Sequence, residues 1–256
     1  MLPTRLWDRA AVVPAGEGRR QAQVVALDPG LPTIPQLFTF MRDAELRWDT
    51  LRMRIEERTF AARGELLVSI DVAIRHPRHA RVMTSEGSGP GAGHELWLTD
   101  GETVWTYNGG HHLGTKRPIR NRPRGLEELP GWARVYEPLT PLPAETLPEL
   151  FVHPAGYCQN TLATGDLAVV GTDRVADREA IVVACRHPRA IERVADRPDF
   201  AIEMTVDRLD GVILRLVETI GGEVTRLAQV THYQPDAAIP PATFEFDFPD
   251  GATILY

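Results

Sequence analysis

Eight histidines are the first side chains to weigh for chemistry, and two pairs among them resemble ligand sets: His76 with His79, and His111 beside His112. A metal centre needs ligands that converge from a rigid frame. These pairs fall instead at strand ends and in a glycine-rich turn, while His94, His153, His187 and His232 are scattered. Solvated loop histidines are the better reading, so neither a metal nor another cofactor is expected. Arg75-His76-Pro77-Arg78 recurs as Arg186-His187-Pro188-Arg189, each copy after an apolar run, which reads as strand-ending punctuation. Glu56-Glu57 and Glu127-Glu128 are adjacent carboxylates. Neighbours on a strand face opposite ways, and nothing in the sequence buries the second pair, so neither makes an acid/base couple.

Cys158 and Cys185 are the only cysteines. They read as two semi-buried thiols, or else as one disulfide formed in an oxidising compartment. Lys116, Arg117, Arg120, Arg122 and Arg124 form a local cationic patch that could meet anionic head groups, although a solvated loop explains it more simply. No phosphate-binding glycine loop, dinucleotide fingerprint, zinc-protease helix or nucleophile elbow is present. The residues therefore do not point to an enzyme, and no catalytic residue is nominated.

The whole chain has 256 residues, 43% hydrophobic and 25% charged, with a net charge of −7. That composition suits a globular protein and argues against a nucleic-acid binder, which needs a basic surface. No apolar run is long enough to span a bilayer, and the N-terminus lacks an export signal. As the sequence stands a cytoplasmic protein is expected, or a periplasmic one if the true start lies upstream.

Periodicity supplies the elements that would position a site. Residues 1–32 read as an irregular arm rich in Pro and Gly, with Val24-Val25-Ala26-Leu27 as a short strand candidate. Thr33 can cap a helix whose apolar residues Ile34, Leu37, Phe38, Met41, Ala44 and Trp48 share one stripe. After Asp49 the period becomes two. Strands are expected over 51–60, from Gly64 to Pro77, and from about Arg81, followed by a hairpin over Glu95–Tyr107. In that hairpin a two-residue turn sets Leu96 and Leu98 against Tyr107 and Trp105. Residues 109–165 read as a proline-rich irregular insertion with one short helix over Ala144–Val152. Strands return at 167–171, 180–186, 201–217, 225–233 and 243–248.

The 201–217 hairpin carries the sharpest pattern. A three-residue turn, Leu209-Asp210-Gly211 with Gly211 left-handed, pairs Arg208 with Val212. Ile202, Met204, Val206, Val212, Leu214 and Leu216 then share a dry face, while Glu203, Thr205, Asp207 and Arg215 share a mostly wet one. Residues 33–256 thus read as one mainly β (α+β) domain of roughly ten sequential antiparallel strands, a sheet large enough to curl.

Four stretches carry a resemblance. They are the helix leading into Trp48-Asp49-Thr50-Leu51; Gly64-Glu65-Leu66-Leu67 with its strand to Pro77; Leu98 to Tyr107; and Val206 to Arg215 with Ile239-Pro240-Pro241-Ala242-Thr243-Phe244-Glu245-Phe246, ending at Pro249. Their order over about 33–250 resembles the LolA/LolB-like lipoprotein-carrier superfamily, which includes sigma-factor regulators of the RseB/MucB type. The resemblance implies a curved, incomplete antiparallel barrel with helices on its concave side. It further implies non-enzymatic binding or carriage of a hydrophobic, lipid-like molecule or acyl chain. A regulatory module with a protein partner is the alternative, and an unrecognised hydrolase the third. The expected cavity lining is Phe38, Met41, Leu96, Leu98, Trp105, Met204, Val206, Leu214 and Leu216.

Overall fold

A computed structural model describes residues 26–62, 64–87, 93–119, 138–188 and 199–255. These residues form one unclosed sheet of 12 strands in the order β12-β6-β5-β4-β3-β2-β1-β11-β10-β9-β8-β7. The first run is β1 (Thr50–Ala61), β2 (Gly64–Arg75), β3 (His79–Glu86), β4 (His94–Asp100), β5 (Thr103–Asn108) and β6 (Leu113–Pro118). The second is β7 (Asp166–Val175), β8 (Arg178–Arg186), β9 (Phe200–Asp207), β10 (Ile213–Ile220) and β11 (Glu223–Pro235). Both runs zigzag antiparallel and meet where β1 pairs with β11. The last strand, β12 (Thr253–Leu255), lies parallel to β6.

The mainly β, open architecture read from the sequence is the one observed, with two strands more than the period showed. β6 lies inside the stretch read as irregular. Its Leu-Gly-Thr-Lys-Arg-Pro has no apolar alternation, and it is recruited by pairing with β5 from Asn108↔Leu113 to Thr103↔Pro118. Ala26 and Leu27 are not in a strand, and Val24 and Val25 lie outside the described residues.

Among the described residues three short α-helices cover the concave face. α1 (Ile34–Arg42) starts where Thr33 predicts it, with Gln36 Oε1 accepting from the Thr33 backbone N–H at 2.9 Å. It stops sooner than the apolar stripe suggests. At Asp43 the chain tightens into one 3-10 turn, Ala44–Leu46, and this still delivers Ala44 and Trp48 to the core. α2 (Leu147–Val152) and α3 (Ala155–Asn160) precede β7. Their Leu147, Phe151, Val152 and Cys158 pack with Leu37, Phe40 and Met41 of α1 onto Met53, Ile55, Val72, Val183, Met204 and Leu216 of the sheet.

The expected strand over 243–248 is not one. Pro240, Pro241 and Pro249 bracket it, and a proline cannot donate to a ladder. After a 3-10 turn (Pro241–Phe244) the chain instead crosses the convex face as an extended strap. The alternation of Phe244, Phe246 and Phe248 survives in that strap. Phe246 and Phe248 pack onto Leu96, Leu98 and Tyr107, and Phe244 joins Ala237, Ile239 and Ala73.

The β9–β10 register is as expected over most of its length, with Met204 opposite Leu216 and Thr205 opposite Arg215. The turn is longer than expected. Asp207 N–H donates to Val212 O at 2.8 Å, so four residues, 208–211, form the loop, and the Arg208–Val212 pair is not made. A bulge at Leu214 then restores the register. Gly211 does adopt the left-handed conformation, φ +77.

Candidate functional site

Register decides which side chains share the concave face. Ile55 pairs with Ile70, Ile70 with Thr84, and Thr84 with Glu95. One step along, Val72 pairs with Val82, Val82 with Trp97, Trp97 with Thr106, and Thr106 with Thr115. Through Glu57 opposite Ala228, this is also the face of Leu216 and Met204. Since successive residues alternate, Leu96, Leu98 and Trp105 must point the other way, beneath the strap.

The expected cavity lining therefore divides in three. Met41, Met204, Val206, Leu214 and Leu216 are fully buried in the main core, and Phe38 packs half-buried against it. Leu98 belongs to the convex cluster, with Trp105 packed against it. Leu96 belongs there too, but it also borders the cavity that does exist. Strands β4 and β5 lie where their alternation predicts them, in the register of a two-residue turn. Leu98 and Trp105 lie beneath the strap and not in the cavity, because nothing within the hairpin says which of its two apolar faces looks toward α1–α3.

The cavity lies where the helices end. It is an open pocket of about 550 Å³ over the outer half of β1–β6, walled by the segment that leads into α2. Ile70, Val82, Trp97 and Leu147 give it apolar surface; Thr84, Thr106 and Thr115 give hydroxyls; Glu57, Glu95, Glu145 and Arg226 give charge. Most of its polar groups are already held. Thr106 Oγ1 and Thr115 Oγ1 are 2.7 Å apart, and Asn108 Nδ2 donates to Glu95 Oε1 at 2.7 Å. Arg226 Nε donates to Glu57 Oε1 at 2.6 Å, with Glu218 Oε1 3.4 Å from Nη1. Burial acts against the Arg226 guanidinium, but these two carboxylates outweigh it and hold the pKa above the ordinary value.

Two polar clusters escaped the sequence reading. Asp207, expected on a wet face, has no exposed surface, and Thr205 is equally buried. Arg178 grips Asp207 with both ends of its fork, Nε to Oδ2 at 2.7 Å and Nη2 to Oδ1 at 3.0 Å, and reaches Asp210 Oδ2 at 2.6 Å. The Tyr233 hydroxyl donates to the same Asp210 oxygen at 3.0 Å. Burial and then the neighbouring Asp207 raise the Asp210 pKa; burial and then Asp210 raise that of Tyr233.

The second cluster gathers two of the histidines. His76, expected in solvent, is buried and stacked on Trp48 with ring centroids 4.4 Å apart. Its Nδ1 is 2.6 Å from Thr140 Oγ1. His153 Nε2 donates to Thr140 O at 3.1 Å, and its Nδ1 lies 3.6 Å from Glu45 Oε2. Burial pushes the His153 pKa down to about 4, against the opposing pull of the Thr140 bond.

The remaining candidates stay apart. Lys116 lies 5.5 Å over the Trp105 ring on the convex face, so its neighbour Arg117 faces the other way, and Arg120, Arg122 and Arg124 lie outside the described residues. Cys158 and Cys185 are free, buried thiols, 3.9 Å from Met41 Sδ and 3.6 Å from Leu162 O respectively. Burial raises both, Cys158 to about 12 and Cys185 to about 11, which makes them poor nucleophiles. Among the described residues no three His, Cys, Asp or Glu side chains converge as a metal site, and no helix is long and apolar enough to cross a membrane.

No family model and no curated protein matches the chain. Among solved structures it is similar to an uncharacterized conserved protein from Thermus thermophilus, at 14% identity and TM-score 0.47, over 87% of this chain and 99% of that one. It is also similar to the MucA/MucB complex of Pseudomonas aeruginosa, at 16% identity and TM-score 0.46, over 83% of this chain and 60% of that one. A third is a LolA superfamily protein from Nitrosomonas europaea, at 12% identity and TM-score 0.35, over 85% and 100%. The likeness is thus to the folds named from the sequence, at low identity throughout.

Proposed function

We propose that the protein binds an amphiphilic small molecule, its apolar part laid along the concave face beside α2, and that it does so without chemical conversion. The observation that carries this reading is the open pocket of about 550 Å³ with apolar surface from Ile70, Val82, Trp97 and Leu147. The volume lies within the range of about 300–1,000 Å³ usual for small-molecule sites, which are mostly apolar with a few placed polar groups. α1–α3 cover the inner half of the concave face and leave this half open, so the hydrophobic surface is available without unfolding anything. An acyl chain matches the apolar part of this lining, and a polar head group matches its hydroxyls and charges.

Native mass spectrometry and organic extraction of the protein, purified from a membrane-containing lysate without detergent, test the reading. A lipid-class species should co-purify at near-stoichiometric amounts and disappear when the pocket is blocked. An empty extract, together with no response of Trp97 fluorescence to any amphiphile, would end it.

A further inference from the structure

The charges around the pocket are one-sided. Three carboxylates line it, Glu57, Glu95 and Glu145, against the single guanidinium of Arg226. Glu57 and Glu218 already bracket that guanidinium at 2.6 and 3.4 Å, so its charge is neutralised inside the wall. Glu95 and Glu145 are exposed at the mouth, and among the described residues neither forms an ion pair. Among the described residues, Glu95 has only the neutral amide of Asn108 as its side-chain partner, at 2.7 Å. Trp97 stands two residues along β4 from Glu95, hence on the same face, and is half-buried in the pocket floor. A pocket lined by an indole and by unpaired carboxylates attracts a cation and repels an anion. The ring quadrupole and the carboxylates act in the same sense, and a cation within about 6 Å of such a ring gains from both.

We propose that the pocket selects an amphiphile with a positively charged, ammonium-type head group, seated against Trp97 between Glu95 and Glu145, over one with an anionic head group. This rests on the reading of the pocket as an amphiphile site. It adds the sign of the ligand's charge, which an apolar floor alone does not set. An anionic head would meet two uncompensated carboxylates and, among the described residues of the lining, only the cation that Glu57 and Glu218 already hold.

Three ten-carbon probes with one tail and different heads separate the two ideas: decyltrimethylammonium, decyl maltoside and decanoate. Each is titrated below its micellar concentration while tryptophan fluorescence is followed, with Trp97→Phe as the control for the reporter. The expected order is cation tightest, neutral sugar next and carboxylate weakest, with about three- to tenfold between cation and neutral head at low salt. The gap should shrink at high ionic strength. Glu95→Gln and Glu145→Gln change exposed side chains, and together they should bring the cationic and neutral probes to within about twofold. Equal affinity for all three heads, preference for decanoate, or an unchanged preference in the double variant would overturn the charge assignment while leaving an amphiphile pocket standing. No response to any of the three would overturn the pocket reading itself, and the inference with it.

Discussion

Asp207 has no exposed surface, yet both of its oxygens are engaged. Oδ2 accepts from Arg178 Nε, and Oδ1 accepts from Arg178 Nη2 and from the backbone N–H groups of Leu209 and Asp210 at 2.9 and 2.6 Å. One side chain therefore ties β8 to β9 and also shapes the loop whose Gly211 abuts Phe40 of α1. A buried ion pair adds little over a well-packed apolar pair, but removing Asp207 strips two backbone donors of their acceptor and leaves the Arg178 guanidinium with Asp210 alone. Asp207→Ala should therefore lose about 3–5 kcal/mol of stability, read as a lower urea midpoint at unchanged slope. Asp207→Leu combined with Arg178→Met should recover much of that loss. If the double replacement is no better than the single one, the cost lies in the two loop N–H groups and in Asp210 deprived of Arg178, and not in the half-paired guanidinium.

At the scale of elements, α2 is held at both ends by groups of different character. Its first residues form a pocket wall. Its C-cap is His153, bound through Nε2 to Thr140 O, while Thr140 Oγ1 accepts from Arg78 N–H at 2.9 Å and faces His76 Nδ1. Glu45, almost fully buried, accepts from Leu139 N–H at 2.9 Å and faces His153. The His153 pKa is about 4 in the folded protein, below the roughly 6.5 of a free imidazole. Between those values the unfolded chain takes up a proton that the folded one refuses. Stability is therefore intact above about pH 6.5 and falls as pH drops toward 4, by up to about 3 kcal/mol from this group. Urea melts across pH 7.5 to 4 check it, and His153→Gln should flatten the fall. Identical pH slopes in both proteins would show that another group governs acid sensitivity.

The same elements show what the sequence makes legible. The strong alternation of β1, β2, β4 and β5 revealed their places and pairings, because a half-buried sheet writes its period into the chain. β6 writes nothing, since its Gly114 lies under Phe248 and its neighbours Lys116 and Arg117 are exposed; its pairing with β5 and β12 makes it a strand. The three phenylalanines of the strap wrote a strand-like period that the convex face uses without any ladder. The sides of the sheet were the real loss. Trp97 and Thr106 differ from Leu96 and Trp105 by one position, and only the β3–β4 pairing decides which set faces the helices.

On the scale of the whole molecule, the fold covers its apolar surface unevenly. The sheet's second run, β7–β11, is sealed by α1, α3 and the Arg178 cluster, with Met204, Val206 and Leu216 fully covered. Across β2–β5 the convex face is sealed by the strap. What is left open is the outer part of the concave face over β1–β6, bounded by the approach to α2. A sheet of 12 strands has more concave surface than three short helices can cover, and no strand-to-strand closure removes the remainder. Binding there should consequently be separable from stability, since Thr84 in the lining is only half-buried and stands on the sheet, away from the helical core. Thr84→Phe puts a ring on the pocket floor between Ile70 and Glu95 in a strand that tolerates aromatics. Without ligand its unfolding midpoint should stay within about 0.5 kcal/mol of the parent protein. A bound amphiphile at about a hundred times its dissociation constant should stabilise the parent by about 2.7 kcal/mol and leave the variant unmoved, because only the native state with an empty pocket gains from mass action. If Thr84→Phe is stabilised by the same amphiphile as strongly as the parent, the molecule binds it elsewhere on the sheet.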